Sequence, residues 1–141
     1  MTLTPLERSA LDLLVGGEDP DLARLREQVD SVTVTRRDLT GVGFYTHFSL
    51  PLGASPAAGI TKAPIADVYG EVEGLPQPVG FSLWVKDGLL DCLECWIHDR
   101  KWPDDAELKR VYYVRPVSGD QGALVEVATR DVRWALGHRA A

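Results

Sequence analysis

Cysteine, methionine and histidine are all scarce in this sequence. Its 141 residues include two cysteines, one methionine and three histidines. Two cysteines cannot build the network of disulfides on which small secreted domains depend. The sequence also has no run near the roughly 18 consecutive apolar residues that a membrane-spanning helix requires. We therefore expect neither a disulfide scaffold nor a membrane protein.

Basic residues are outnumbered as well, since 15 lysines and arginines face 21 acidic residues and give a net charge of −6. They cluster at most in pairs, such as Arg36-Arg37 and Lys109-Arg110. Nucleic acids and anionic membrane surfaces are bound through extended basic patches. We therefore predict that the chain binds neither nucleic acid nor membrane. An acidic surface would suit a basic partner, although it can also serve solubility alone.

The start of the chain does not resemble a secretory signal. It lacks a basic segment before its first apolar stretch, and Glu7 and Asp12 interrupt that stretch. We therefore expect a cytoplasmic protein with reduced thiols. A composition of 45% apolar and 26% charged residues is ordinary for a globular protein, and a chain of this length is most simply one domain.

Two helices are predicted at the start of the chain. The segment Thr4–Glu7 combines a capping threonine, a proline at the first helical position and a glutamate that can complete a capping box. Apolar residues then recur at helical spacing until Gly16-Gly17. Asp19-Pro20 begins a second helix by the same logic. Residues 1–30 are therefore predicted to form a helical pair.

Beyond residue 30 the hydrophobic period changes from that of a helix to that of a strand. In the clearest case alternate residues are apolar and the run ends at Pro51. Residues 31–129 are predicted to form the sheet, and residues 130–141 a C-terminal helix or tail. The predicted elements are strands at Ser31–Arg37, Val42–Leu50, Ile65–Glu73, twice within Val79–Trp102, at Arg110–Arg115 and at Ala123–Thr129, a helical turn at Asp105–Leu108, a turn at Ser118–Gly122 and a helix at Asp131–Leu136.

The fold class that follows is α+β, in a single domain that spans residues 1–141. We predict two N-terminal helices packed on a mostly antiparallel sheet of about five to seven strands. A central hairpin turns around Asp87-Gly88, because this pair separates two apolar runs and is a strong hairpin signal. The hairpin segment Val79–Trp102 contains three of the four tryptophans and both cysteines.

The register of this hairpin determines which face carries Glu94. With a loop of two residues, Val85 opposes Leu90 and Phe81 opposes Glu94, which places the carboxylate on the apolar face. With a loop of three residues and a glycine bulge, Val85 instead pairs with Leu89, and Glu94 turns to the other face. The sequence leaves both registers open.

The two cysteines form a CxxC motif whose position argues against redox or metal chemistry. Cys92 and Cys95 lie within a predicted strand, where residues three apart point to opposite faces. We therefore interpret them as two small buried apolar residues. A zinc site would need both thiolates together with His47 and His98, which spacing does not indicate. We predict no metal and no cofactor.

Aromatic and acidic side chains on the predicted strands are the candidate binding residues. Asp67, Glu71 and Glu73 share a predicted face with Tyr69, and with Glu94 they would form a carboxylate cluster for a cation or for acid/base chemistry. A solvated strand face is the favoured account of these carboxylates, and cross-strand packing is the default account of the aromatic residues, which could also line a binding surface. No catalytic residue is predicted. The candidate ligand-binding residues are Glu94, His47, Tyr45, Trp84, Trp96 and Asp67.

Several segments resemble small bacterial domains of unknown function, including immunity-type domains. These segments are Gly41–Phe48, Asp67–Tyr69, Gly80-Phe81 and the G-x-L-x-x-L-E pattern at Gly88–Glu94, within roughly Leu39–Pro103. The resemblance implies a bacterial protein with an immunity-like binding role and carries over no enzymatic activity.

Two functional hypotheses follow from the sequence. The first is a non-enzymatic cytoplasmic binding domain with a protein partner, for which the resemblance implies an immunity-like role. The alternative is a small-molecule-binding or hydrolytic domain with a pocket around Glu94, His47 and Tyr45. A homodimer is also open, because an uncovered sheet edge can pair with a second copy, and Tyr112-Tyr113 is one candidate seam.

Overall fold

A computed structural model describes residues 1–97, 101–117 and 123–137 of the chain. Within these ranges the α+β prediction is confirmed. The predicted helical turn at Asp105–Leu108 is wrong, because Leu108 already belongs to a strand, and the predicted turn at Ser118–Gly122 lies outside the described residues. The elements are α1 (Pro5–Leu14), α2 (Pro20–Ser31), β1 (Thr33–Leu39), β2 (Gly43–Ser49), β3 (Ile65–Val72), β4 (Val79–Lys86), β5 (Leu89–Trp96), β6 (Leu108–Pro116), β7 (Leu124–Val127) and α3 (Val132–Leu136).

Both N-terminal helices begin where their capping residues predict. The Thr4 hydroxyl accepts a hydrogen bond from the Glu7 amide, and the Glu7 carboxylate accepts one from the Thr4 amide, which completes the capping box. The Asp19 carboxylate accepts hydrogen bonds from the first free amides of α2. These side chains satisfy donors that a helix start otherwise leaves unpaired.

The seven strands form one antiparallel sheet in the order β1-β2-β5-β4-β3-β6-β7. The β4–β5 hairpin is inserted between β2 and β3, so it occupies the centre of the sheet. The edge strands are β1 and β7. The prediction of a dimer seam at Tyr112-Tyr113 is wrong, because both residues lie on β6, whose two edges are already paired with β3 and β7.

The helices pack on one face of the sheet and bury the core there. Helix α1 contacts β3, β4 and β6, while α2 contacts β5 and α3 contacts β3. The opposite face carries none of these three helices, and we call it the open face. The largest fully buried apolar side chains in the core are Leu11, Leu14, Leu22, Leu25, Ile65, Phe81, Leu83, Leu93 and Leu136.

Of the two loop lengths that the sequence leaves open, the central hairpin has the two-residue turn, but its register then shifts. Asp87 and Gly88 both have positive φ, 53° and 77°, as a tight type I′ turn requires. Val85 opposes Leu90 as predicted. One residue later the register shifts at a β-bulge, so that Ser82 opposes Glu94.

This bulge corrects the predicted environment of Glu94. The expectation that Phe81 opposes Glu94 is wrong, since Phe81 opposes Cys95. The three-residue loop is also wrong, yet Glu94 reaches the face that this loop would have given it. A single extra residue in β5 exchanges the two faces, because side chains alternate along a strand.

A second irregularity, in β3, separates Asp67 from Tyr69. Ile65 opposes Leu83 and Val68 opposes Phe81, so β3 has one residue more than β4 between these two pairs. The predicted common face of Asp67 and Tyr69 is therefore wrong. Asp67 is buried on the helix side of the sheet, whereas Tyr69 lies on the open face.

Candidate functional site

The open face of the sheet gathers most of the aromatic and acidic residues that the sequence singles out. They project from the adjacent strands β2, β5, β4, β3 and β6, at positions that alternate with core residues. Each is half-buried, which leaves part of its side chain in contact with solvent. The residues are Tyr45, His47, Trp84, Glu94, Trp96, Tyr69 and Tyr112.

Glu94 is held at the centre of this face by donors from both neighbouring strands. The Tyr45 hydroxyl donates to Glu94 Oε2 at 3.0 Å, and Trp84 Nε1 donates to Glu94 Oε1 at 3.1 Å. The hydrogen bond to Glu94, together with burial, raises the pKa of Tyr45 above its ordinary value. The phenol therefore stays protonated near neutral pH and remains a donor.

Glu94 differs from the other carboxylates of the open face in having no cationic partner among the described residues. Glu71 and Glu126 both pair with Arg110, on β6. Asp38, on β1, contacts His47 at 2.9 Å and Arg36 at 3.2 Å. Among the described residues, the side-chain hydrogen bonds to Glu94 thus come from two neutral donors.

The aromatic rings of the open face are fixed against each other and against the backbone. Tyr45 and His47 stack with centroids 6.3 Å apart, and Tyr69 meets Trp96 edge to face at 5.6 Å. The Trp96 ring also lies directly over Gly80, where a Cβ atom would collide with it. This surface is therefore preorganised, which reduces the entropy that a ligand must overcome when it binds.

The two cysteines lie on opposite faces of β5, as the strand period predicts. Cys92 opposes His47 and Trp84, whereas Cys95 opposes Phe44 and Phe81. Both are buried and unpaired. They cannot bind one metal ion together, and no group of three or more metal-binding side chains occurs in residues 1–97, 101–117 and 123–137. His98, the fourth residue of the zinc hypothesis, lies outside these ranges.

We expect both thiols to react slowly with iodoacetamide in the native protein. Burial raises the pKa of Cys92 from 9.0 to about 11, and burial also raises the pKa of Cys95. A rise of two units lowers the thiolate fraction roughly 100-fold at mildly alkaline pH. Mass spectrometry of the alkylated protein over time would measure both rates. Both cysteines should react quickly in denaturant, and rapid labelling of native Cys95 would contradict its burial.

Asp67 is the one predicted site residue that lies away from the open face. Its carboxylate pairs with Arg130 at 2.8 Å on the helix side, where both side chains are almost fully buried. The predicted carboxylate cluster of Asp67, Glu71, Glu73 and Glu94 does not form, because Asp67 is turned to Arg130 on the helix side. The other five candidates share the open face, and Tyr45, Trp84 and Glu94 are directly hydrogen-bonded.

A groove of about 740 Å³ lies between the start of α1 and the sheet, and no sequence pattern predicts it. Phe44 and Trp102 meet edge to face at 5.2 Å in its wall. The ion pair between Glu7 and Arg37 also lines the groove. The residues that form it come from four separate parts of the chain, so no local pattern marks it.

Tyr69 and Tyr112 belong to the open face but are not among the candidate residues predicted from the sequence, because only the sheet order makes them neighbours. These residues oppose each other on β3 and β6. Their alternation with apolar residues is a signal in the sequence, but it does not show that β3 and β6 are neighbours.

Within the described residues, none of the helices is long and apolar enough to cross a membrane. No family model, no curated protein and no solved structure matches this chain.

Proposed function

We propose that this chain is a non-enzymatic interaction domain that binds a basic protein partner on its open face. The observation that carries the proposal is the half-buried Glu94 carboxylate, which has aromatic neighbours and no cationic partner among the described residues. Carboxylates bind cationic side chains through charge-assisted hydrogen bonds, and aromatic rings add cation–π attraction. Tyrosine and tryptophan are also the residues most enriched in energetically important parts of interfaces.

The overall charge supports the same kind of partner. A net charge of −6 attracts a basic protein over a distance and raises its rate of association. The resemblance of Gly88–Glu94 to immunity-type domains is in keeping with a bacterial protein whose partner is a protein toxin. We place the interaction in the cytoplasm, because the low cysteine content predicts a reducing compartment.

The chemistry around Glu94 favours binding over hydrolysis. Both oxygens of Glu94 accept hydrogen bonds from neutral donors, Tyr45 and Trp84, and neither donor is the histidine base that a nucleophilic hydrolase pairs with its acid. The nearby Cys92 thiol has a raised pKa and is a poor nucleophile. The His47 ring stacks on Tyr45 and is hydrogen-bonded to Asp38 rather than to Glu94.

The proposal can be tested with short peptides that are selected from a random display library for binding to the wild-type chain. The affinity of these peptides for the wild type is then compared with their affinity for the Glu94→Gln variant. We expect the selected peptides to be basic and to bind the variant about 10-fold or more weakly, because a hydrogen bond to a charged group contributes roughly 1.5–3 kcal/mol. Isothermal titration calorimetry measures the affinities. The melting temperature should change little, since Glu94 is only partly buried and the amide oxygen of glutamine can still accept a hydrogen bond.

Asp91→Asn is the matched control for this experiment. Asp91 is exposed on the same strand, and its replacement removes the same charge without touching the open-face hydrogen bonds. Peptides should bind this control nearly as tightly as the wild type. The proposal fails if no peptide is enriched, if the enriched peptides are not basic, or if both variants lose affinity equally.

A further inference from the structure

We infer that the group bound at Glu94 is an arginine side chain of the partner, held by two parallel hydrogen bonds and flanked by aromatic rings. This inference rests on the proposed function, because it names the chemical group that the open face would recognise. It follows from three features: the unused acceptor sites of Glu94, the rings beside it, and the way in which this protein binds its own arginines.

The carboxylate of Glu94 has acceptor capacity beyond the two hydrogen bonds from Tyr45 and Trp84. A carboxylate has about four acceptor sites, two on each oxygen. Tyr45 occupies one site on Oε2 and Trp84 occupies one on Oε1. No other described residue donates to Glu94, so among residues 1–97, 101–117 and 123–137 one site on each oxygen has no donor. Two parallel N–H groups of a guanidinium would match this pair. The ammonium of lysine is a point charge and lacks this planar fork.

The rings beside Glu94 also suit a planar cation. Tyr45 and Trp84 come from the strands on either side of β5 and are tied to the carboxylate by hydrogen bonds. A guanidinium stacks on an aromatic face and loses less hydration than an ammonium does. An arginine that reaches Glu94 would therefore pass between rings whose positions are already fixed.

Two of the chain's own arginines, Arg110 and Arg130, are bound by the same combination of groups. Arg110, on the open face, is held by Glu71 and Glu126 and lies 4.3 Å from the centre of the Tyr112 ring. On the helix side, Arg130 pairs with Asp67 and lies 5.0 Å from the centre of another tyrosine ring. Each of these sites combines an acidic group, an aromatic ring and an arginine. The Glu94 site has the first two, and the described residues supply no arginine to it.

A titration of the full chain with single amino-acid probes tests this inference. The probes are the N-acetyl amides of arginine, of lysine and of citrulline, which has the shape of arginine without its charge. The indole N–H signal of Trp84 in a proton–nitrogen NMR spectrum reports binding. We expect the arginine probe to shift this signal saturably, with an affinity at least about 5-fold higher than that of lysine. Citrulline should cause no saturable shift.

Two variants decide whether the arginine probe binds where we infer. Glu94→Gln should abolish the saturable shift, and Asp91→Asn should retain it. Glu94→Asp provides a second comparison, because it keeps the charge but shortens the side chain by one methylene group. The displaced carboxylate should show a lower preference for arginine over lysine. The circular dichroism spectrum of each variant shows whether it is folded.

The outcomes separate this inference from the proposed function. Equal affinities for arginine and lysine, or a shift that persists in Glu94→Gln, would overturn the inference. If selected peptides need Glu94 but contain lysine in place of arginine, the proposed function stands and the inference fails. If the arginine probe binds at Glu94 while no basic peptide is selected, the proposed function fails and the site recognises a free guanidinium compound.

Discussion

Replacing Asp67 by asparagine is expected to lower the free energy of unfolding by about 3–5 kcal/mol, because the change removes one partner of a buried ion pair. Both oxygens of the Asp67 carboxylate accept hydrogen bonds from Arg130, each at 2.8 Å. The two side chains are only 1% and 4% exposed. The guanidinium left behind cannot reach water without disturbing the packing around it. Because typical domains are stable by about 5–15 kcal/mol, such a loss is a large fraction of the total.

The position of Arg130 explains why this pair affects the whole fold. Its Nη1 atom also donates to the carbonyls of Leu13 and Gly16, at 3.1 and 2.6 Å. These carbonyls lie at the end of α1, where helical partners are missing. Arg130 therefore joins α1, β3 and the segment before α3. Without its counter-ion, the same buried arginine becomes a source of strain at this junction.

Urea unfolding at neutral pH measures the effect, and Asp12→Asn is the matched control. Asp12 pairs with Arg8 at 3.0 Å on the exposed side of α1, and about half of each side chain is in solvent. An exposed pair at this spacing contributes roughly 0.3–0.5 kcal/mol. The role assigned to Asp67 is wrong if its replacement is no more costly than that of Asp12.

Replacing Glu7 by glutamine is expected to lower the free energy of unfolding by about 2–3 kcal/mol at neutral pH, through the loss of hydrogen bonds to a charged group. The Glu7 carboxylate is 1% exposed and accepts hydrogen bonds from Arg37 at 2.7 and 2.8 Å. It also accepts bonds from the Thr46 hydroxyl and the Thr4 amide. The cost should be smaller than for Asp67, because Arg37 is 27% exposed and can regain water.

The effect of the Glu7 substitution should depend on pH. Burial by itself raises the pKa of Glu7, but hydrogen bonds from Arg37, Thr46 and Thr4 and the charge of Arg37 together lower it below 4.5. As the pH falls, the unfolded chain therefore binds this proton before the folded protein does. The stabilisation is present above about pH 4.5 and is lost as the pH falls through the folded pKa. The stability difference between wild type and variant should shrink over this range.

Chemical unfolding of both proteins at a series of pH values from neutral to acidic checks this prediction. Glu27→Gln is the control, because Glu27 is an exposed residue of α2 whose contact with Arg24 is long, at 3.8 Å. Its replacement should change stability by less than about 0.5 kcal/mol at every pH. A difference for Glu7→Gln that stays constant down to strongly acidic pH would contradict the lowered pKa.

Local signals in the sequence predicted the elements well. The capping residues of Thr4–Glu7 and Asp19-Pro20 place both helix starts, because the hydrogen bonds that they make lie within a few residues. The pair Asp87-Gly88 places the central turn, because its two residues adopt the positive φ that the turn needs. The alternation in Val42–Leu50 identifies the buried face of β2.

The environment of the candidate site could not be predicted in the same way. Glu94 reaches the open face because one extra residue in β5 shifts the register after a turn of the predicted length. The period of a strand is two, so one inserted residue reverses every assignment beyond it. The irregularity in β3 separates Asp67 from Tyr69 for the same reason. Both depend on how each strand fits its neighbours.

The sequence by itself determined the kinds of element, their order and the set of candidate site residues, because these depend on spacing and composition. Tertiary structure alone decided which charges meet. Asp67 finds Arg130 across 63 positions, and Glu7 finds Arg37 across 30. The sheet order brings Tyr45 and Trp84 to either side of Glu94, while no described residue brings it a cation. Such pairings follow from the packing of distant segments, which leaves no periodic trace in the chain.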